Sequence, residues 1–425
     1  MTYHDQPWGR LSRIVAAMPL LCLLLFAVMA QAQTFTVLHK FTNGLDGAHP
    51  YTGLTIDRAG NLYGTAEYGG SQANDCHIVS GCGTVFELVH QGAGFIFRPL
   101  YQFQGFPSGD GANPQGRVIV GPDGALYGTT AYGGEDGSCG DEEPGCGTVF
   151  KLTPPPTFCK SFTCNWEETQ LYNFTGTGDG AGPSGEIAFD SAGNLYGTTY
   201  GGASEFGGTV YELAPAHGTW TLSTLAGFES GTNPYGGVQL DRAGNVYGTT
   251  ELFGTAFQLL PSGSGWTLNN LYEFSYNGGG WDLAAGLIVG PGGNLYGGTA
   301  AGSPSPVIFE LSPSNGGWTY NPFYTFSSTG LSANLVMDST GNLYGTTLGD
   351  SEEQIYGSVF KLTPSDGGWI YTDLHDFTNG SDGALPYSSI VIDSAGNLYG
   401  TASSGGGDRC PPSGTGCGVV WEITP

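Results

Sequence analysis

Four aspartates share a motif that could gather carboxylates around a ligand. The motif D-G-A-x-P begins at Asp46, Asp110, Asp179 and Asp382. Carboxylate oxygens suit calcium, which needs several oxygen ligands at once, and they also accept hydrogen bonds from hydroxyl-rich ligands. The same residues are typical of a turn, because Asp accepts backbone N–H groups and Gly takes positive φ. The sequence therefore predicts either an acidic ligand-binding rim or a set of structural turns.

Further acidic residues lie on three long loops, near residues 66–82, 130–146 and 402–417. Asp136, Asp141, Glu142 and Glu143 on the second loop are candidate calcium ligands. No D-x-D-x-D-G array orders these side chains, so a solvated acidic loop is the alternative interpretation. We expect that the protein requires no cofactor, with calcium as the one candidate ion.

Two histidines, His49 and His77, belong to the same group of loops and are the candidate general bases. The sequence contains no G-x-S-x-G, H-E-x-x-H or Walker A motif. A carboxylate pair is the minimum for glycoside hydrolysis, and the D-G-A-x-P aspartates could supply one. Catalytic residues are therefore not assigned, and the pattern favours a binding protein over an enzyme.

A repeat organises the chain around these residues. The hexapeptide G-N-L-Y-G-T or a near copy begins at Gly60, Gly124, Gly193, Gly244, Gly293, Gly341 and Gly396. Spacings of 48 to 69 residues are those of a propeller blade. Each copy carries four strand-like segments, which we call d, a, b and c. In the sixth copy they are Trp318–Phe326, Ala333–Asp338, Asn342–Thr347 and Gly357–Leu362.

The repeat predicts an all-β fold, a seven-bladed β-propeller with four-stranded blades, forming one domain over residues 33–425. The first d strand, Thr34–Thr42, has no preceding c strand, and the last c strand, Gly418–Ile423, has no following d strand. Pairing these two strands would complete blade 7 and leave no free sheet edge.

The connections between strands divide into two faces. Since neighbouring strands alternate in direction, the b-to-c and d-to-a connections emerge on one face of the ring. The three long b-to-c loops belong to blades 7, 1 and 2, which are consecutive around the ring. We therefore expect ligands on this loop-rich face. Hairpin aspartates on the opposite face are read as turn residues, and the periodic aromatic residues as packing between blades.

The cysteines form close pairs. After residue 32 they are Cys76 and Cys82, Cys139 and Cys146, Cys159 and Cys164, and Cys410 and Cys417. An even number in an exported chain favours disulfides. Zinc is the competing interpretation, but it requires C-x-x-C or mixed Cys/His spacing, which these pairs lack.

The amino-terminal segment predicts where the protein is located, and the net charge limits which classes of molecule it binds. Residues 1–32 contain Arg10 and Arg13, an apolar run and Ala30-Gln31-Ala32, the pattern of a cleaved signal peptide. We expect a secreted protein, extracellular or periplasmic, with no membrane span after cleavage. A net charge of −26 disfavours nucleic acid and anionic lipid as partners. We expect a monomer.

The pattern G-L-x-x-D-x-x-G-N-L-Y-G-T-T, followed by G-T-V-F-E-L, resembles the GloVer tandem repeat of the choice-of-anchor family of bacterial surface and secreted proteins. The resemblance covers essentially the whole chain after residue 32. It implies an exported repeat protein, often with a carboxy-terminal sorting anchor, and it brings no catalytic residues. No sorting signal is visible after the last predicted strand.

Together these features predict a secreted, non-catalytic binding or interaction module that uses the loop-rich face of blades 7, 1 and 2. A glycan or an extracellular protein is the expected partner. Two alternatives stay open: a secreted carbohydrate-active hydrolase or lyase with rim carboxylates, and a structural envelope protein.

Overall fold

Seven four-stranded antiparallel sheets make up the structure, a computed structural model. It describes residues 33–70, 76, 81–106, 108–135, 139, 145–156, 165–202, 206–229, 231–251, 254–263, 265–275, 283, 285–301, 305–349, 354–407, 410 and 414–425. The predicted all-β, seven-bladed propeller is confirmed. The predicted signal peptide, residues 1–32, lies outside the described residues.

Each blade runs from strand a, nearest the axis, to strand d at the outer edge. Blade 1 consists of Thr55–Ile56, Leu62–Ala66, Thr84–Gln91 and Gly94–Gln102. Blade 2 consists of Ile119–Val120, Leu126–Thr130, Thr148–Thr153 and Glu167–Asn173. Blade 3 consists of Ala188–Phe189, Leu195–Thr199, Phe206–Ala216 and Thr219–Glu229. Blade 4 consists of Pro234–Leu240, Val246–Thr250, Thr255–Ser262 and Gly265–Glu273.

The remaining blades follow the same order. Blade 5 consists of Ile288–Val289, Leu295–Gly298, Val307–Ser314 and Gly317–Thr325. Blade 6 consists of Val336–Met337, Leu343–Thr346, Ser358–Ser365 and Gly368–Asp376. Blade 7 consists of Val391–Ile392, Leu398–Ala402, Val419–Thr424 and Thr34–Lys40. A short pair, Gly111–Ala112 with Tyr132–Gly133, and a 3-10 turn, Pro291–Gly293, complete the described elements.

Blade 7 contains strands from both ends of the propeller. Its outer strand, Thr34–Lys40, pairs antiparallel with Val419–Thr424, from Thr34 opposite Thr424 to Lys40 opposite Val419. The pairing continues beyond the ladder, where Phe41 N donates to Gly418 O at 3.0 Å. The backbone groups of both terminal strands are thereby hydrogen-bonded within one sheet.

An aromatic side chain on strand c covers a glycine on strand b in each blade. In blade 1, Gly64 is the cross-strand partner of Phe86, and a Cβ added to Gly64 would lie 2.5 Å from Phe86 Cζ. The corresponding aromatic residues, all fully buried, are Phe86, Phe150, Tyr211, Phe257, Phe309, Phe360 and Trp421. Their predicted role in packing is confirmed, and the repeat requires glycine at this position because no side chain fits.

The aspartates of the a-to-b hairpins organise their own turns. Asp338 Oδ1 accepts hydrogen bonds from the backbone N–H groups of Thr340 and Asn342, at 2.8 and 2.9 Å. Its Oδ2 accepts from Asn342 Nδ2 at 2.7 Å and from Tyr344 at 3.1 Å. The equivalent residues are Asp57, Asp190, Asp241 and Asp393. Their predicted structural role is confirmed.

Strand a is shorter than the sequence predicts. In blade 6 it spans Val336–Met337 instead of Ala333–Asp338. In six blades strand a has only two residues, whereas in blade 4 it spans Pro234–Leu240. The residues before strand a lie at the axis, where the backbones of neighbouring blades approach closely. A Cβ on Gly185 would lie 2.6 Å from Gly237 N, in the next blade.

Replacing Asp338 with alanine should lower the free energy of unfolding by about 1 kcal/mol at pH 7, because the hairpin loses its carboxylate hydrogen bonds in a partly solvated site. Partial burial raises the pKa of Asp338, but hydrogen bonds from Asn342 and Thr340 outweigh it and lower the pKa to about 2. The stabilisation should therefore disappear as the pH falls from about 4 towards 2. Chemical denaturation measures both effects.

The matched control is Asp366→Ala, which removes an exposed aspartate from a c-to-d turn of the same blade. An equal loss of stability in both variants would contradict the hydrogen-bonding role of Asp338.

Candidate functional site

A cavity of about 550 Å³ lies on the propeller axis. It is on the face that carries the b-to-c and d-to-a connections, and each of the seven blades contributes to its wall. The wall uses three recurrent positions. Two of them are defined by the buried apolar residue just before strand a, such as Leu54: they are the first and the third residue before it. The other is the fifth residue after the first residue of strand b, as Glu67 is after Leu62. Residues at alternate positions of an extended segment share one face, so both strand a positions point into the channel.

The residues at these positions differ from blade to blade, although the rest of the repeat is regular. The third residue before the apolar position is Tyr51, Gln115, Ser184, Tyr235, Ser332 and Tyr387 in blades 1, 2, 3, 4, 6 and 7. Sequence reasoning missed this site. The signal that could have revealed it is the variation itself, because positions that only hold the fold together stay constant.

Three tyrosines form the aromatic part of the wall. The rings of Tyr51 and Tyr387, from neighbouring blades, have centroids 5.8 Å apart and are tilted by 42°. Tyr235 has 41% of its surface exposed, and the ring of Tyr200 meets it edge-on with centroids 5.9 Å apart. Phenol rings are therefore accessible at the mouth of the channel.

Two glutamates, Glu67 and Glu251, directly follow strand b in blades 1 and 4. The carboxyl of Glu67 is buried and accepts a hydrogen bond from Gln115 Nε2 at 2.8 Å. Burial raises the pKa of Glu67, against the opposing effect of hydrogen bonds from Gln115 and Tyr68. The protonated form of Glu67 is thus favoured relative to an ordinary surface carboxyl.

The glutamates and the tyrosines interact electrostatically. Burial, followed by the charge of Glu67, raises the pKa of Tyr51 to about 12. Burial, followed by the charges of Glu251 and Glu67, raises the pKa of Tyr235. Tyr387 contributes to both shifts. Phenols from blades 1, 4 and 7 and carboxyls from blades 1 and 4 therefore belong to one site.

An ion pair joins two neighbouring blades deeper in the cavity, and a third blade adds a hydrogen bond to it. Arg117 Nη2 of blade 2 lies 3.0 Å from Glu186 Oε2 of blade 3. Ser389 Oγ, from blade 7, donates to Glu186 Oε1 at 2.7 Å. Gly53 of blade 1 leaves room for this crossing, because a Cβ there would lie 3.3 Å from Arg117 Cδ. The network narrows the channel below the tyrosines.

Two buried polar atoms of the wall have no hydrogen-bond partner within the described part of the chain. Ser184 Oγ and Arg117 Nε are buried and make no hydrogen bond within the described part of the chain. Buried polar groups are normally hydrogen-bonded, so such atoms in a cavity wall are available to a ligand or to ordered water.

The D-G-A-x-P aspartates lie in the d-to-a turns. Asp179 accepts hydrogen bonds from Tyr172, from Thr175 N and from Thr175 Oγ1, at 3.0, 2.8 and 2.7 Å. Asp46, Asp110 and Asp382 likewise accept a hydrogen bond from the backbone N–H two residues after strand d, that of Thr42, Gln104 and Thr378. None of the four is among the described residues of the cavity wall. Their role in ligand binding stays a prediction, while their role in these turns is directly visible.

His49 lies behind the cavity wall. Only 2% of its surface is exposed, and its Nδ1 is 2.9 Å from Ser403 O. Its ring is stacked near Tyr51, with centroids 6.2 Å apart, and meets Tyr68 edge-on at 5.6 Å. The structure therefore places His49 where it supports Tyr51, and its role as a general base stays a prediction.

Seven candidate residues lie outside the described residues: His77, Asp136, Asp141, Glu142, Glu143, Cys159 and Cys164. Within the described ranges, no three His, Cys, Asp or Glu side chains gather as a metal site would require.

Three of the predicted disulfides are present. Cys76–Cys82, Cys139–Cys146 and Cys410–Cys417 join residues whose Cα atoms are 5.1, 5.2 and 5.0 Å apart. They lie in the b-to-c connections of blades 1, 2 and 7, on the face of the ring that carries the cavity. Within the described ranges, no helix has the length and apolar character needed to cross a membrane.

These features define a class of protein, a repeat β-propeller with a polar and aromatic cavity on its axis. The profile of the Gloeobacter/Verrucomicrobia repeat matches residues 24–167, 78–253 and 251–425. The chain belongs to this repeat family, which confirms the resemblance inferred from the G-N-L-Y-G-T repeats. A search of curated proteins gives no match.

A comparison with solved structures finds likeness at low sequence identity. The extracellular domain of a provisionally assigned one-component system from B. thetaiotaomicron has a TM-score of 0.52 and 11% identity, over 90% of this chain and 40% of that chain. A provisionally assigned 6-phosphogluconolactonase from Bacteroides uniformis ATCC 8492 has a TM-score of 0.48 and 16% identity, over 77% and 85%. At such identities the likeness concerns the fold alone.

Outside the cavity, the fold makes ionisation of one carboxyl group unfavourable. Glu168, on strand d of blade 2, is partly buried, and its Oε1 makes no hydrogen bond within the described residues. Burial, followed by the nearby charge of Asp110, raises the pKa of Glu168 to about 7. At neutral pH the folded protein therefore holds a carboxyl that is more easily ionised in the unfolded chain.

The variant Glu168→Gln should be more stable than the wild type at pH 8, by about 1–2 kcal/mol, because the penalty for the buried charge is gone. Between about pH 4.5 and 7, Glu168 keeps its proton in the folded wild type but loses it in the unfolded chain. The free energy of unfolding of the wild type should therefore fall as the pH rises through this range. Urea unfolding at pH 5 and pH 8 measures this. Glu167→Gln, an exposed neighbour on the same strand, is the control, and an identical pH profile in both variants would refute the effect.

Proposed function

We propose that the protein is a secreted binding module that takes a saccharide into the axial cavity. The proposal depends on the cavity wall. At equivalent positions of an otherwise regular repeat, some blades carry a tyrosine there and others carry a hydrogen-bonding side chain. A volume of about 550 Å³ fits a small ligand or the end of a glycan. The faces of Tyr51, Tyr235 and Tyr387 offer apolar surface to the C–H groups of a sugar ring.

Polar groups of the wall supply the complementary hydrogen bonds. Sugar hydroxyls both donate and accept, so they match carboxylates, amides and hydroxyls such as those of Glu67, Asn334 and Ser184. The buried Ser184 Oγ and Arg117 Nε, which make no hydrogen bond among the described residues, favour a polar ligand over an apolar one.

The loop-rich face extends this site. Blades 7, 1 and 2 contribute Tyr387, Tyr51 and Gln115 to the wall, and the same blades carry the disulfide-closed loops. A glycan whose end occupies the cavity would leave it on the face that carries these connections.

Export is part of the proposal. The leader pattern of residues 1–32 and the three disulfides both favour an oxidising, extracytoplasmic compartment. The net charge of −26 disfavours nucleic acid as the partner.

A glycoside hydrolase is the second candidate. Glu67 is a buried carboxyl whose pKa is raised by that burial, as a general acid requires, and Glu251 is a second carboxyl of the same wall. Release of reducing sugar from a bound oligosaccharide, lost in Glu67→Gln, would establish this activity.

Binding should be tested by calorimetry with the chain from residue 33 and a panel of cello-, xylo-, manno- and chito-oligosaccharides. Tyr51→Ala and Tyr387→Ala should each weaken binding of the best oligosaccharide about tenfold, because each removes an aromatic face from the wall. Ile370→Ala is the control, since Ile370 is an exposed apolar residue on the outer strand of blade 6. Absence of binding to every sugar, or equal losses in the control, would reject the saccharide site.

A further inference from the structure

The cavity wall carries more negative than positive charge. Its described ionisable carboxyl and guanidinium groups are Glu67, Glu186, Glu251 and Arg117. The guanidinium of Arg117 lies against Glu186, 3.0 Å away. The donors that bind Glu67, the Gln115 amide and the Tyr68 hydroxyl, are both neutral. Besides the carboxyl that pairs with Arg117, the wall therefore has two further carboxyl groups, those of Glu67 and Glu251.

The same wall presents aromatic rings to these carboxyls. The centroids of Tyr51 and Tyr387 are 5.8 Å apart, so a small cation at the mouth can lie within about 6 Å of both rings, the range of cation–π attraction. Tyr235 of blade 4 lines the same cavity as Tyr51 and Tyr387. Aromatic faces together with carboxylates form the usual environment for an organic ammonium group.

Tyrosine and glutamate also occur together in the repeats. Blade 1 combines Tyr51 with Glu67, and blade 4 combines Tyr235 with Glu251 at the same two positions. At these positions blade 2 has Gln115 and Ala131, an uncharged combination. Two separate blades thus bring the same phenol and carboxyl pair to the cavity.

We infer that the ligand carries a protonated amine, as in an oligosaccharide of glucosamine, held between Tyr51, Tyr235 and Tyr387 by the carboxylates of Glu67 and Glu251. This inference rests on the proposed saccharide function and names its ligand class. The ammonium group gains cation–π attraction and charge-assisted hydrogen bonds, while the sugar hydroxyls bind the remaining polar side chains. A neutral N-acetyl group at the same place would lose both contributions.

The test compares the glucosamine tetramer with the N-acetylglucosamine tetramer at pH 6, where the amines are protonated, by calorimetry with the chain from residue 33. The glucosamine tetramer should bind at least tenfold more tightly. Glu67→Gln and Glu251→Gln should each reduce this preference several-fold and change the affinity for the N-acetyl form less than twofold. Glu167→Gln, exposed on the outer strand of blade 2, should leave the preference intact.

The outcomes separate this inference from the proposed function. Equal affinity for the two tetramers, or a preference unchanged in both glutamine variants, overturns the amine site and keeps the saccharide site. If tetramethylammonium binds and no sugar does, the cation site is supported and the saccharide function falls. If neither tetramer nor tetramethylammonium binds, both proposals fail. Melting temperatures verify folding, and Glu251→Gln, in a separate blade, keeps the test decisive should Glu67→Gln fail to fold.

Discussion

The contact between a strand b glycine and a strand c aromatic ring is the constraint on which the propeller depends. In each blade the ring fills the space over the glycine, where strand b has no side chain of its own. The aromatic rings also bury the largest apolar areas of the structure, which stabilises a chain with few charged residues. Because every blade uses the same pair of residues, the seven blades have similar shapes and pack around one axis.

Crowding at this axis affects some positions beside the cavity more than others. At Gly185 and Gly237 a Cβ would lie only 2.6 and 2.5 Å from a backbone nitrogen of the neighbouring blade, so a side chain does not fit at either residue. The third residue before the buried apolar position faces the channel instead, and there the chain carries tyrosine, glutamine or serine. The composition of the site therefore changes between blades, while the strands of the blades stay alike.

The sequence predicted the fold well because its determinants are local and repeated. The hairpin aspartates, such as Asp338, and the glycine of G-N-L-Y-G-T act within a few residues of one another. The order of the strands also indicated which connections emerge together on one face of the ring. The cavity was not, because contacts such as Ser389 with Glu186 join residues far apart in the chain that meet only once the ring has closed. The D-G-A-x-P carboxylates were predicted as the ligand-binding residues instead, because their motif occurs four times. Their hydrogen-bond partners within the turn, such as Tyr172 for Asp179, are visible only in the structure.

The make-up of blade 7 also bears on the order in which the protein folds. Six blades take all their strands from consecutive chain, so each can form once its own fourth strand has been synthesised. Strand Thr34–Lys40 is the exception, because its partner is Val419–Thr424 at the far end of the propeller. Loop closure over such a sequence separation is slow, so ring closure is the natural rate-limiting step. Until then the first strand remains an unpaired edge able to join another chain, which makes exchange of this strand between molecules the characteristic error of folding.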